Sequence, residues 1–190
     1  MIRPFRILTL VSALALIASP AFAQGGHSAQ DGHSHDAPAA APTGVKAEML
    51  AWIADAEGKL GELAEAMPEG KYAWAPDKGV RSPGEVFMHV AAANYGVPSF
   101  WGVQPPAGFD FMSYEKSLTK KAEIQNAMKE SFGHLKAALS GASDADLEKP
   151  VELFGNKTTA RGAYLMLLAH AHEHLGQSIA YARMNKVTPP

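Results

Sequence analysis

From Val45 onward the chain places apolar residues at helical spacing. Met49, Ile53, Leu60, Leu63 and Met67 recur at intervals that fall on one stripe of a helix. Pro68 and Gly70 end that element. Gly58 and Gly61 lie inside it, each costing up to about 1 kcal/mol relative to alanine, which points to close packing or a soft middle. Residues 71–81 read as a connecting loop. Ser82-Pro83-Gly84-Glu85 is then a strong helix start, with Ser82 as N-cap, Pro83 in the first turn and Glu85 closing a capping box. This second helix should stop near Tyr95, before Gly96 and Pro98.

Residues 99–113 hold Trp101, Phe109 and Phe111 among prolines and glycines and read as a long loop over one end of the domain. A third helix starts near Thr119, carries Ile124, Met128, Phe132, Leu135 and Leu139, and ends at Gly141. Residues 143–146 suggest one short extra turn. The last helix runs from about Thr159 to Met184, with Thr158 or Thr159 as N-cap. No segment reads as a convincing strand. Four amphipathic helices of this length bury their stripes as an all-α four-helix bundle.

The N-terminus has a different pattern. Arg3 and Arg6 precede an apolar run from Ile7 to Ala18, and Ala21-Phe22-Ala23 matches a signal-peptidase site. The expected organisation is a signal peptide over 1–23, a His-rich linker over 24–43 and the helical domain over 44–190. An exported, periplasmic protein follows from that signal. The apolar run is shorter than the roughly 20 residues that span a bilayer, so no membrane association is expected after cleavage, although an uncleaved anchor is the alternative. The linker holds His27, His33 and His35 among small polar residues, a composition that does not bury a core and can capture a metal weakly. With a formal charge of -2 and no concentrated basic patch, nucleic acid is excluded as a partner. The chain has no cysteine, which removes thiolate catalysis, disulfides and Cys-based zinc sites.

Histidine supplies the candidate chemistry. At about 100° per residue, His174 lies about 40° round from His170 and one turn along, so both rings reach one point, while His172 points nearly the opposite way. Two imidazoles so spaced form half of a zinc-type site, and a third ligand leaves a coordination position open. His89, beside Val86, Val90 and Ala93 on the second helix, is the best third ligand, with Glu85 as its hydrogen-bond acceptor. His134 and His172 read as solvated. Glu173, Gln177 and Tyr181 are the candidate catalytic groups, and Trp101, Phe109 and Phe111 the candidate pocket walls. His170 to His174 also fits H-x-x-E-H, with Glu173 as a peptidase base, but no Asp or Glu follows His174 to complete that ligand set.

The stretches KYAWAPDKGVRSPGEVFMHVAAAN, EKPVELFGNKTTARG and LLAHAHEHLGQSIAYARMNKVTPP together resemble DinB-like proteins across Lys46 to Pro190. The resemblance implies an up-down-down-up four-helix bundle, frequently a homodimer, with His89, His170 and His174 on a divalent cation: zinc or nickel first, manganese or iron as alternatives. It further implies a metal-dependent hydrolase or group transferase, including thiol S-transferases, acting on a small molecule. A non-catalytic metal-binding or structural protein is the other reading. This chain departs from the thiol transferases in carrying an export signal and a His-rich linker.

Overall fold

The computed structural model describes residues 43–190. The expected signal peptide and the linker histidines His27, His33 and His35 lie outside the described residues. In chain order the helices are α1 (Gly44–Ala66), α2 (Pro83–Gly96), the single turn α3 (Phe111–Tyr114), α4 (Lys121–Gly141), the single turn α5 (Asp144–Leu147) and α6 (Ala160–Met184). Short 3₁₀ turns cover Glu69–Lys71 and Val97–Trp101. None of the described helices is long and apolar enough to cross a membrane.

The four long helices pack in a ring in which α1 and α2 each contact both α4 and α6. Consecutive α1 and α2 therefore sit at opposite corners, and residues 67–82 have to cross between them. That segment is fastened at Tyr72, whose hydroxyl donates to Ala64 O at 2.7 Å and whose carbonyl accepts from Gly84 N at 3.0 Å.

Helix α2 begins as the sequence predicts. The Ser82 hydroxyl accepts from Glu85 N at 3.3 Å, and the Glu85 carboxylate accepts from Ser82 N at 2.8 Å. From Pro83 to Gly96 every residue is buried except Glu85 and His89. A helix apolar all round is an interior helix. His89 is thus an imidazole held within the body of the bundle, with 24% of its side chain exposed.

Three readings of the sequence need correction. A two-stranded antiparallel hairpin, β1 (Pro150–Leu153) and β2 (Asn156–Thr159), precedes α6, with Leu153 opposite Asn156. Its turn is Phe154-Gly155 at φ 51° and 82°, the two-residue left-handed turn whose twist suits a hairpin. Strands of four residues, one of them wholly polar, are too short to show a period of two. Val151 and Leu153 nevertheless face the core, and Thr159 passes directly into capping α6 by accepting from Gly162 N at 3.1 Å. The third long helix starts at Lys121 rather than Thr119, with no side-chain cap. Finally, a Cβ added at Gly58 or Gly61 would meet nothing within 4 Å, so close packing does not explain these glycines.

Candidate metal centre

Helices α2 and α6 are far apart in sequence but adjacent in the ring, which brings His89 against His170 and His174. The ring centroids are 5.0 Å apart for His89 and His170, 4.8 Å for His89 and His174, and 4.5 Å for His170 and His174. One nitrogen from each of the three can be chosen so that all lie within 4.8 Å of one another, and among the described residues no fourth His, Asp or Glu joins the group.

The remaining nitrogens show which atoms are free. His89 Nδ1 lies 3.0 Å from a Glu115 carboxylate oxygen, and a carboxylate accepts only, so Nδ1 carries the proton and Nε2 keeps its lone pair. His174 Nδ1 lies 2.8 Å from Gln177 Oε1, which fixes the same tautomer. Gln177 Nε2 in turn donates to the Tyr181 hydroxyl at 2.9 Å. His170 and His174 then bring their Nε2 atoms to 3.1 Å of each other. His170 Nδ1 is buried without a partner among the described residues, so nothing fixes its tautomer: with the proton on Nε2 it donates to His174, and with the proton on Nδ1 two lone pairs face each other where a cation would bridge them.

Burial favours the neutral form of two of these rings, His170 and His89. Burial pushes His170 down to about 4, helped by the positive charge that His174 and His89 would carry. Burial also lowers His89, as does the Arg81 guanidinium, against the opposing pull of its Glu115 bond. Arg81 Nε donates to the other Glu115 oxygen at 2.7 Å. Burial would raise Glu115, but the Arg81 bond and charge and the His89 bond outweigh it and hold the carboxyl below its ordinary range. A neutral imidazole with its second N–H tied to an acceptor is the form that ligates a metal. Three imidazole nitrogens with no cysteine and no carboxylate among them fit a borderline divalent cation.

The model of the DinB superfamily matches residues 45–178. The chain belongs to that superfamily. No curated protein matches it in sequence. Solved DinB-like structures share its fold. One from Bacillus cereus ATCC 10987 is 18% identical with a TM-score of 0.66, covering 77% of this chain and 95% of its own. YjoA from Bacillus subtilis is 16% identical at a TM-score of 0.58, covering 74% and 94%. YfiT from Bacillus subtilis is 14% identical at 0.62, covering 80% and 94%, and is described as a probable metal-dependent hydrolase with an unusual four-helix bundle topology.

Several expected roles shift in this DinB domain. Glu85 is not the acceptor for His89, because its carboxylate is committed to the helix cap. That place belongs to Glu115, at the C-terminal end of α3, which the sequence reading missed. No local pattern in the sequence singles it out. Gln177 and Tyr181 stand beside the histidines, whereas Glu173 is exposed and lies outside their group.

Trp101 does not wall the site: its indole N–H donates to the Tyr164 hydroxyl at 3.3 Å. Phe109 packs on Tyr114 and Tyr95, and Phe111 lies against Gly96, where a Cβ would meet its ring at 2.2 Å. The aromatic loop thus seals the bundle end and seats α3, which carries Glu115. His134 is half-buried against Tyr95 rather than solvated, with its Nε2 lacking a partner among the described residues and its pKa lowered by burial. His172 points away from the site as predicted but is half-buried, 6.4 Å from Trp52 between ring centroids.

A cleft of about 570 Å³ reaches Glu115 and Gln177, the side chains bonded to His89 and His174, and is lined further by Arg81, Glu85 and Lys116 with Gly79 and Val80; none of the three histidines lines it.

Proposed function

We propose that this DinB domain holds a divalent cation through Nε2 of His89, His170 and His174 and uses it in hydrolysis or group transfer on a small molecule. The observation that carries the reading is the pairing of two imidazoles with acceptors, Glu115 for His89 and Gln177 for His174, which leaves Nε2 of both free in a cluster whose ligand atoms lie within 4.8 Å of one another. A cation bound there would act as a Lewis acid, polarising a substrate oxygen or lowering the pKa of water toward about 7. Glu115 orients His89 and is itself held by Arg81. Gln177, fixed by Tyr181, orients His174. The cleft that reaches Glu115 and Gln177 offers a substrate room next to the groups bonded to His89 and His174, and the lack of a fourth protein ligand among the described residues favours a catalytic over a purely structural centre. YfiT, described as a probable metal-dependent hydrolase, lends the same direction.

Zinc or nickel is the cation we favour, with manganese or iron next. An exported, periplasmic homodimer with the up-down-down-up helix order completes the proposal. Elemental mass spectrometry of the purified protein beside a His170→Ala, His174→Ala variant tests it. Near-stoichiometric metal that is lost in the variant supports the site. Wild-type protein that is metal-free and takes up none of the four cations refutes it.

A further inference from the structure

We infer that the site takes a small anion bearing an apolar arm, with Lys116 holding the anionic group where two cavities meet. This deepens the metal-centre reading and rests on it.

The polar cleft that reaches Glu115 and Gln177 is not isolated. A second cavity of about 270 Å³ is lined by Tyr72, Ala73, Ala75, Leu118 and Ile124. Glu85 and Lys116 line both volumes, so the two adjoin across this pair. This pair thus stands between a polar cleft that reaches Glu115 and Gln177 and a cavity lined mainly by apolar groups.

The charges in the cleft differ in what they have left to offer. Arg81 and Glu115 are bonded to each other at 2.7 Å and cancel. Glu85 is engaged by Ser82 N at 2.8 Å, at a helix N-terminus that offsets its charge. The exposed Lys116 has no ion-pair partner among the described residues. A divalent cation on three neutral imidazoles would add positive charge that only a ligand can balance. A cationic head would be repelled there. A wholly polar anion would leave the apolar cavity unfilled, whereas a hydrocarbon arm fits the usual pattern of an apolar pocket with a few placed polar groups.

Calorimetric titration of the cobalt-loaded protein with acetate, octanoate and octylammonium tests this. Octanoate should bind at least tenfold more tightly than acetate, a margin of about 1.4 kcal/mol that corresponds to burying roughly two methylenes. Octylammonium should give no binding. Lys116→Gln should weaken both carboxylates about fivefold, equivalent to about 1 kcal/mol for an exposed ion pair. Ala75→Leu, at an exposed loop position, should weaken octanoate alone. Cobalt content should be unchanged in both variants. Equal binding of acetate and octanoate, or octanoate binding indifferent to both substitutions, overturns the proposal and leaves the metal reading standing. Wild-type protein that takes up neither cobalt nor any of the four cations named above overturns both; where one of those four loads in place of cobalt, the same titration is made on that form.

Discussion

His89 and Glu115 are 26 positions apart in sequence and are joined by a 3.0 Å bond from Nδ1–H to a carboxylate oxygen. One comes from the most buried helix of the bundle and the other from the end of a single helical turn. The bond leaves His89 only Nε2 with which to face His170 and His174, and Arg81 holds the carboxylate from its other side.

Removal of that acceptor should loosen the metal without unfolding the domain. Glu115→Ala should lower divalent-metal affinity by about 10- to 100-fold, the usual effect of losing a partner behind a ligating histidine. Glu115→Gln, which retains an acceptor oxygen but not the charge, should lose less. Competition against a chromophoric chelator measures both.

On the α6 side, Gln177→Leu should weaken metal binding by about tenfold or more, because His174 loses the acceptor that sets its tautomer. Tyr181→Phe should cost less, since it only frees the far end of the Gln177 amide. Glu173→Gln should leave both metal content and any hydrolytic activity unchanged. A large loss in that variant would revive the inverted zinc-peptidase reading.

Gly96 acts on the site from a distance. Gly96→Ala puts a methyl where the Phe111 ring lies, forcing the turn that carries Glu115 to move. The expected cost is about 1–3 kcal/mol of stability. A drop in metal affinity should accompany it. Chemical denaturation and chelator competition on the same sample separate the two effects.

Acid should weaken the metal-free protein in a defined window. Burial lowers His170 to about 4 from its ordinary 6.5, so the unfolded chain binds a proton at higher pH than the fold does. The full contribution is present above about 6.5 and is lost progressively as pH falls toward about 4. His89 and His134, also lowered chiefly by burial, act in the same direction. Denaturation midpoints measured across pH 4–7.5 should fall with acidification, and His170→Ala should flatten the slope.

The hairpin turn provides a control remote from the metal. Gly155 sits at φ 82°, so Gly155→Ala should destabilise by about 1 kcal/mol and lower the melting temperature. Metal affinity should remain at the wild-type value.

The three histidines could be singled out from the sequence because helix periodicity alone sets the direction of His170 relative to His174, and because an imidazole among Val86, Val90 and Ala93 must face inward. The capping box at Ser82 and Glu85 and the N-cap at Thr159 were legible for a similar reason: they are local hydrogen-bonding patterns within a few residues. Glu115 was not legible. Its role depends on Phe111 lying against Gly96, a contact between a loop and the end of another helix that no local pattern encodes. The hairpin escaped because four-residue strands carry too little periodicity, and His134 was misread because the burial around it comes from Tyr95 on another helix. The sequence by itself determined which faces turn inward, since that follows from helical geometry. Only the tertiary structure decided which inward faces meet and that Glu115 stands behind His89, because those depend on the packing of segments distant along the chain.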